Sequence, residues 1–254
     1  MLESIRKYDD WKPLVDKILN DSKRKGFEIR LTGGLAIHLH CEKQNEMFEL
    51  FRRKYADVDL VCLNKDIEKV RKYFAAQGFE INEEVYTFSE GKRLIFENKK
   101  TIEKLEVFVD ELDFCHKIDL RERFVIDYPT ISVSDLLLSK MQIVKISEKD
   151  LQDLSVLIIE HELSDNEQKD SINIKYIAKL LSKNWGFYFT FINNIKNIIE
   201  FIGNIGLTEE NKWRLIQKLN NLKNIIMSEE KNIKWKFRAF FGKRIKWYKA
   251  VSEI

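Results

Sequence analysis

The first apolar pattern along the chain has helical spacing and occupies residues 8–25. Its apolar residues fall three or four positions apart on one face: Trp11, Leu14, Val15, Ile18 and Leu19. This spacing predicts an amphipathic helix. Gly26 follows at the position where a glycine commonly ends one.

Strand and helix patterns then alternate up to about residue 112. Short apolar or β-branched runs predict a strand over 27–32 that runs into a turn at Gly33 and Gly34, and further strands over 55–63 and 104–112. Helical spacing predicts helices over 35–41 and 65–78. Residues 85–98 are typical of a hairpin with Glu90 and Gly91 at its turn. The front of the chain is therefore expected to form a mixed β-sheet flanked by helices.

Strand patterns nearly vanish after Ser134. Helical patterns follow over 134–144 and at about 148–161, 171–184, 187–202, 208–227 and 230–248. The fold class expected is α+β, with a mixed-sheet domain over 1–130 and an all-α helical domain over 131–254. The boundary is placed near residues 128–134.

The composition narrows the class of protein. Hydrophobic residues make up 44% of the 254, which excludes wholesale disorder, and three cysteines are too few for a disulfide scaffold. The N-terminus has no apolar leader, and no apolar run reaches the roughly 18 residues of a membrane span. A cytoplasmic protein without a membrane partner is expected.

The charge is distributed unevenly. Residues 1–130 carry 24 Lys and Arg against 26 Asp and Glu, whereas residues 131–254 carry 20 against 15. The last 24 residues carry eight cations against Glu253 alone, and the cations alternate with aromatic residues over 231–249. This basic segment suits RNA phosphates and bases, and it equally suits a helix that packs its aromatic side chains onto the protein.

Gly33 and Gly34 stand between a predicted strand and a predicted helix. Two glycines let a ligand approach the backbone closely, and the helix N-terminus beyond them offers unpaired N–H groups. Together these features suit a phosphate group. An ordinary turn is the alternative.

Three carboxylates follow on the predicted strands. Asp57 and Asp59 are two residues apart and so face one side of a strand, where their mutual repulsion would be relieved by a divalent cation. A solvated strand face is the alternative. Glu106 lies within a later strand and shares its face with Asp110, and Glu106 is preferred because Asp110 falls at the expected strand end.

These pieces, in this order, resemble the signature of the DNA polymerase β-type nucleotidyltransferase superfamily. That signature is a hydrophobic residue with Gly-Gly or Gly-Ser, then an acid-x-acid strand, then a third acid on a later strand. Arg53, Lys140 and the segment 149–154 (KDLQDL) further resemble the abortive-infection (AbiEii-like) nucleotidyltransferases, which include toxins of toxin–antitoxin pairs. The resemblance covers residues 28–160. Departures are Tyr55 in place of Ser or Thr, Gly34 in place of Ser, and 22 residues between Gly34 and Asp57.

The resemblance implies transfer of a nucleoside monophosphate from an NTP to an acceptor, with release of pyrophosphate. In such enzymes two Mg²⁺ ions clamp the attacking and leaving oxygens. Asp57 and Asp59 would hold both ions, and Glu106 would complete one of them and help deprotonate the acceptor. The nucleotide would be bound by Gly33, Gly34, Arg53 and Lys140, with Asp150 orienting Lys140 or meeting the nucleotide.

The acceptor is left open between tRNA, a protein hydroxyl and a small molecule, and RNA could be held by the basic C-terminal helix. The alternative function is a catalytically silent nucleotidyltransferase fold that binds a nucleotide or RNA.

Overall fold

The structure is a computed structural model that describes residues 5–250. Its helices are α1 (Tyr8–Lys25), α2 (Gly33–His40), α3 (Asn45–Leu50), α4 (Ile67–Ala76), α5 (Glu83–Phe88), α6 (Val133–Met141), α7 (Glu148–Glu160), α8 (Ile174–Leu181), α9 (Trp185–Gly203), α10 (Glu209–Ser228) and α11 (Ile233–Phe241). Its strands are β1 (Ile29–Thr32), β2 (Val58–Cys62), β3 (Glu80–Ile81), β4 (Arg93–Asn98), β5 (Glu103–Val109), β6 (Glu111–Asp113), β7 (Lys117–Asp119), β8 (Glu162–Ser164) and β9 (Ser171–Asn173).

The described residues group into two compact units. The first unit contains the residues up to Leu39 together with Arg52–Leu112 and Asp119–Ser132. The second contains His40–Phe51, Asp113–Ile118 and the residues from Val133 onward. The predicted domains, 1–130 and 131–254, stay a prediction.

A five-stranded mixed sheet forms the centre of the first unit, in the order β1-β2-β5-β4-β3. The β2–β5 pair is parallel, and the other neighbouring pairs are antiparallel. Helices α1, α4 and α5 pack against β1, β3 and β4. Three successive residues of β4, Leu94, Ile95 and Phe96, are all buried, so both faces of the sheet are covered at this strand. The expected mixed sheet with flanking helices is confirmed.

The predicted hairpin over 85–98 is wrong in its first half. Residues 83–88 form helix α5, which begins where the Asn82 side chain accepts a hydrogen bond from the Val85 N–H at 3.1 Å. Glu83 and Glu84 in its first turn favour this helix through the helix dipole. Glu90 and Gly91 do form a turn, both with positive φ, but it joins a helix to β4.

The second unit is predominantly helical. Helix α7 packs with α6, α9 and α10, and its residues Leu154, Val156, Leu157 and Ile158 are fully buried. The expected helical C-terminal region is confirmed. None of the helices within residues 5–250 is both long and apolar enough to cross a bilayer.

Two details of the second unit differ from the sequence prediction. Residues 171–173 form β9, which pairs in parallel with β8, so the helix predicted from 171 begins only at Ile174. The helix predicted over 230–248 is shorter: α11 begins at the Asn232 cap and ends before Gly242, whose φ is +54°. A positive φ interrupts a right-handed helix.

Candidate functional site

The three candidate acids come together on or beside β2 and β5, two interior strands of the first unit's sheet. Asp57 directly precedes β2, and Asp59 lies within it. In the parallel β2–β5 pair, Asp59 stands opposite Glu106. Asp57, Asp59 and Glu106 each offer a carboxylate oxygen, and these oxygens all lie within 4.8 Å of one another. The strand register therefore produces the cluster that the sequence predicted, while the roles of these acids stay predictions.

Burial differs among the three acids. Glu106 is 6% exposed, whereas Asp57 and Asp59 are half-buried. Burial raises the pKa of Glu106, the hydrogen bond and charge of Arg93 oppose that rise, and the charge of Asp57 adds to it. The net direction is upward, so the cluster disfavours a third negative charge until a cation balances it.

Arg93 is a member of this cluster that sequence reasoning missed. Its Nε donates a hydrogen bond to Glu106 Oε1. Arg93 lies opposite Phe108 in the β4–β5 pair, two residues beyond Glu106, so both side chains share one face of the sheet. In the sequence Arg93 is only a cation at the start of a strand. Its contact with Glu106 depends on the β4–β5 register, which the sequence of one strand does not reveal.

Asp110, the competitor of Glu106, has a different contact. Its Oδ1 accepts a hydrogen bond from the Asn64 N–H at 2.9 Å, and its φ of +64° takes it out of the extended strand conformation. Glu106 is thus the acid whose carboxylate lies beside Asp57 and Asp59.

Gly33 lies directly against the acid cluster. It opens α2 with φ +69°, and a Cβ atom added there would stand 2.0 Å from Asp59 Oδ2 and 2.9 Å from Asp59 Cβ. Contacts that short exclude any side chain at residue 33 with the present backbone. The first turn of α2, whose N–H groups lack intrahelical acceptors, therefore begins beside the carboxylates.

Gly34 is adjacent to the candidate phosphate ligand Arg53. A Cβ atom at Gly34 would stand 2.7 Å from Arg53 Nη2 and 3.0 Å from the Tyr55 ring. The Arg53 guanidinium lies over that ring, with 4.4 Å from Cζ to the centroid, and Nη1 donates to the Lys54 carbonyl. The Tyr55 hydroxyl is hydrogen-bonded to His38 Nδ1 at 2.8 Å. Both glycines thus make room for side chains at the start of α2.

Lys140 and Asp150 are ion-paired within the second unit. Lys140 Nζ lies 2.7 Å from Asp150 Oδ1 and 3.4 Å from Asp153 Oδ2, and Asp153 is fully buried. Asp150 also accepts a hydrogen bond from the Ser147 hydroxyl at the start of α7. Burial alone would raise the pKa of Asp150, but Lys140 and Ser147 outweigh it and hold that pKa below its usual value. Asp150 is therefore placed to orient Lys140, and a contact of either residue with a nucleotide stays a prediction.

Comparison with known proteins adds one structural likeness. No protein-family model matches the chain, and no curated protein sequence matches it significantly. Among solved structures, it is similar to an antigenic nucleotidyltransferase-like protein from Paracoccidioides brasiliensis, with 15% identity over 90% of this chain and 97% of that one. The TM-score is 0.41, so this likeness assigns neither family nor activity.

Proposed function

We propose that the chain is a Mg²⁺-dependent nucleotidyltransferase that transfers a nucleoside monophosphate from an NTP to an acceptor and releases pyrophosphate. The observation that carries the proposal is the convergence of Asp57, Asp59 and Glu106, whose oxygens lie within 4.8 Å beside Gly33. Three carboxylates on or beside two neighbouring strands, next to a glycine-opened helix, would provide a cation site and an anion site side by side.

The donor set fits Mg²⁺. All three groups are carboxylates, the hard oxygen ligands that this ion prefers, and they are close enough to share a cation. Asp57 and Asp59 would hold two Mg²⁺ ions, with Glu106 completing one of them. When bound, such ions stabilise the negative charge of the attacking and leaving oxygens.

Side chains and backbone groups of the chain would accept the acceptor's proton and bind the triphosphate. Glu106, with its raised pKa, is suited to accept the proton of the acceptor hydroxyl. Arg53 is held over Tyr55 at the start of α2, where it would bind the triphosphate together with the N–H groups that follow Gly33 and Gly34. Lys140 and Asp150 are proposed as further nucleotide contacts.

The finer assignment, to the abortive-infection type of these enzymes, depends on Arg53, Lys140 and the segment 149–154. The acceptor would be tRNA, a protein hydroxyl or a small molecule. Labelled NTPs incubated with total RNA and cell lysate would identify the acceptor by the fraction that gains the label.

One observation favours the silent alternative. The Arg93 guanidinium already pairs with Glu106, and a fixed cation can replace part of the charge that a metal would supply. A silent module would bind an NTP, retain that binding in EDTA and transfer no label.

The test compares the parent with Asp59→Asn and with Asp110→Asn as the matched control. If the proposal holds, label transfer requires Mg²⁺, is lost in Asp59→Asn and is retained in Asp110→Asn. Transfer that survives in Asp59→Asn would refute the carboxylate site, because Asp59 is its central member.

A further inference from the structure

A pocket of about 330 Å³ lies wholly within the second unit, between the start of α9, helix α11 and the segment after α11. Four cationic and three tryptophan side chains line it, and no carboxylate does so in the described part of the chain. Its volume is that of a small-ligand site. Because the charged side chains of this lining are all cations and stand beside indoles, it favours an anionic ligand that also has a flat apolar face.

The cations are Lys183, Lys234, Arg238 and Lys246. The three lysines are exposed, and Arg238 is fixed. The Arg238 guanidinium donates to the carbonyl oxygens of Gly242 at 2.8 Å and Ile245 at 2.6 Å. This places one fixed and three exposed positive charges around the same volume, an arrangement that suits phosphate oxygens.

The tryptophans are Trp185, Trp235 and Trp247. Trp185 is 8% exposed and lies under the Arg238 guanidinium, whereas the other two are half-buried. The Trp235 indole N–H is buried and has no hydrogen-bond acceptor among the described residues. A buried donor without an acceptor costs free energy, and this one belongs to a residue that lines the pocket.

The walls of the pocket are held in place by close packing. A Cβ atom at Gly186 would stand 2.4 Å from the Trp247 carbonyl oxygen, so the segment after α11 lies tightly on the first turn of α9. The Trp247 indole N–H donates to Thr190 Oγ1 at 3.2 Å. The Lys249 N–H donates to the Cys115 carbonyl at 3.1 Å. The basic segment after α11 is thus held in place by these contacts and forms one wall of the pocket.

We infer that this pocket binds one nucleotide unit of a single-stranded nucleic acid, with the base against the Trp235 indole and the phosphate among the cations. Aromatic faces beside cations are the chemistry by which proteins hold single strands. An acidic peptide would pair with the cations but would leave the indoles without a partner, so a nucleic acid fits the lining better. The inference is independent of the proposed catalytic function, because the residues of the pocket include none of the proposed catalytic or nucleotide-binding residues.

The experiment measures binding of the full chain to a labelled oligouridylate of about eight nucleotides, a length within the usual site size. Lys234→Ala with Lys246→Ala should weaken binding and reduce the slope of log affinity against log salt by about 1.4, the value for two phosphate contacts. The matched control is Lys236→Ala with Lys196→Ala, two exposed lysines outside the pocket, which should leave the slope unchanged. Equal losses in the two double variants would overturn the site, because they would show diffuse charge attraction only.

A second pair of variants tests the base contact. Trp235→Leu should weaken binding about tenfold without changing the salt slope, as expected for one stacked base. Trp213→Leu, at a 63% exposed tryptophan on α10, should bind like the parent.

Two probes complete the test with the unmodified chain. An abasic oligomer with the same phosphates should bind at least tenfold more weakly than oligouridylate, and equal affinity would overturn the base contact. Uridine monophosphate should displace the labelled oligomer only at much higher concentration. If it displaces the oligomer at an equal concentration, the pocket binds a free nucleotide and not a strand.

Discussion

Gly33 lies so close to Asp59 that a Cβ atom on it would stand 2.0 Å from the Asp59 Oδ2 atom. The Asp59 Cβ atom would also be only 2.9 Å away, and rotation of the carboxylate cannot move that atom. A side chain at residue 33 must therefore shift the backbone of α2 or of β2. The position of the Asp59 carboxylate and the start of α2 are coupled at this point.

Gly33→Ala should therefore destabilise the protein and weaken Mg²⁺ binding. Gly26→Ala is a matched control, since Gly26 has nearly the same φ, +68°, but would meet no atom within 4 Å. The control should cost about 1 kcal/mol of unfolding free energy from backbone strain alone. Gly33→Ala should cost clearly more, as measured by urea unfolding, and equal costs would contradict the close contact with Asp59.

Asp57→Asn with Asp59→Asn should remove the stabilisation by Mg²⁺ without unfolding the protein. The metal-free variant should be as stable as the parent or about 1 kcal/mol more stable, because two neighbouring negative charges are removed. Mg²⁺ should raise the Tm of the parent and not that of the variant. Asp9→Asn with Asp16→Asn, which removes two exposed charges from α1, should respond to Mg²⁺ like the parent. An equal Tm rise in both double variants would place the metal elsewhere.

The main elements of the fold could be predicted because they carry long or clear patterns. The amphipathic spacing of α1 and the β-branched run of β2 are examples. Helix α5 was missed because Val85, Tyr86 and Phe88 have strand propensity, and its start depends on one side-chain cap, at Asn82. Strands β8 and β9 have three residues each, too few to show a period.

The acid cluster could be predicted in part because strand alternation puts Asp57 and Asp59 on one face. The parallel pairing that sets Asp59 opposite Glu106 is a matter of register between distant segments, and so is the diagonal contact of Arg93 with Glu106. A pattern of residue types along one segment does not contain that register. This is why the third acid had to be chosen between Glu106 and Asp110, and why Arg93 was not found.

Lys140→Met tests whether this lysine is only structural. It should cost about 3 kcal/mol of unfolding free energy, since it leaves the fully buried Asp153 carboxylate without this cation. If Lys140 also binds the nucleotide, NTP affinity at a temperature where the variant stays folded should fall about tenfold, the loss of one charged hydrogen bond. Lys149→Met, at an exposed lysine on α7, should change neither quantity. Unchanged NTP affinity in Lys140→Met would remove Lys140 from the proposed nucleotide site.

His116 should make the second unit less stable in mild acid. Burial lowers the pKa of His116 to about 4, and its Nε2 is hydrogen-bonded to Thr190 Oγ1 at 2.9 Å. In the unfolded chain the same side chain would titrate near its ordinary value of about 6.5. Between these two values the unfolded state binds a proton that the folded state does not, so stability falls as the pH is lowered from about 6.5 to about 4 and then levels off. The loss from this group is about 3 kcal/mol.

His116→Gln keeps a polar group for Thr190 and removes the titration. The carboxyl groups are common to both proteins, so their contributions cancel in the difference between the two curves of unfolding free energy against pH. The stability of the parent relative to His116→Gln should fall steadily as the pH is lowered through this window. A constant difference would show that His116 titrates in the folded protein as it does in the unfolded chain.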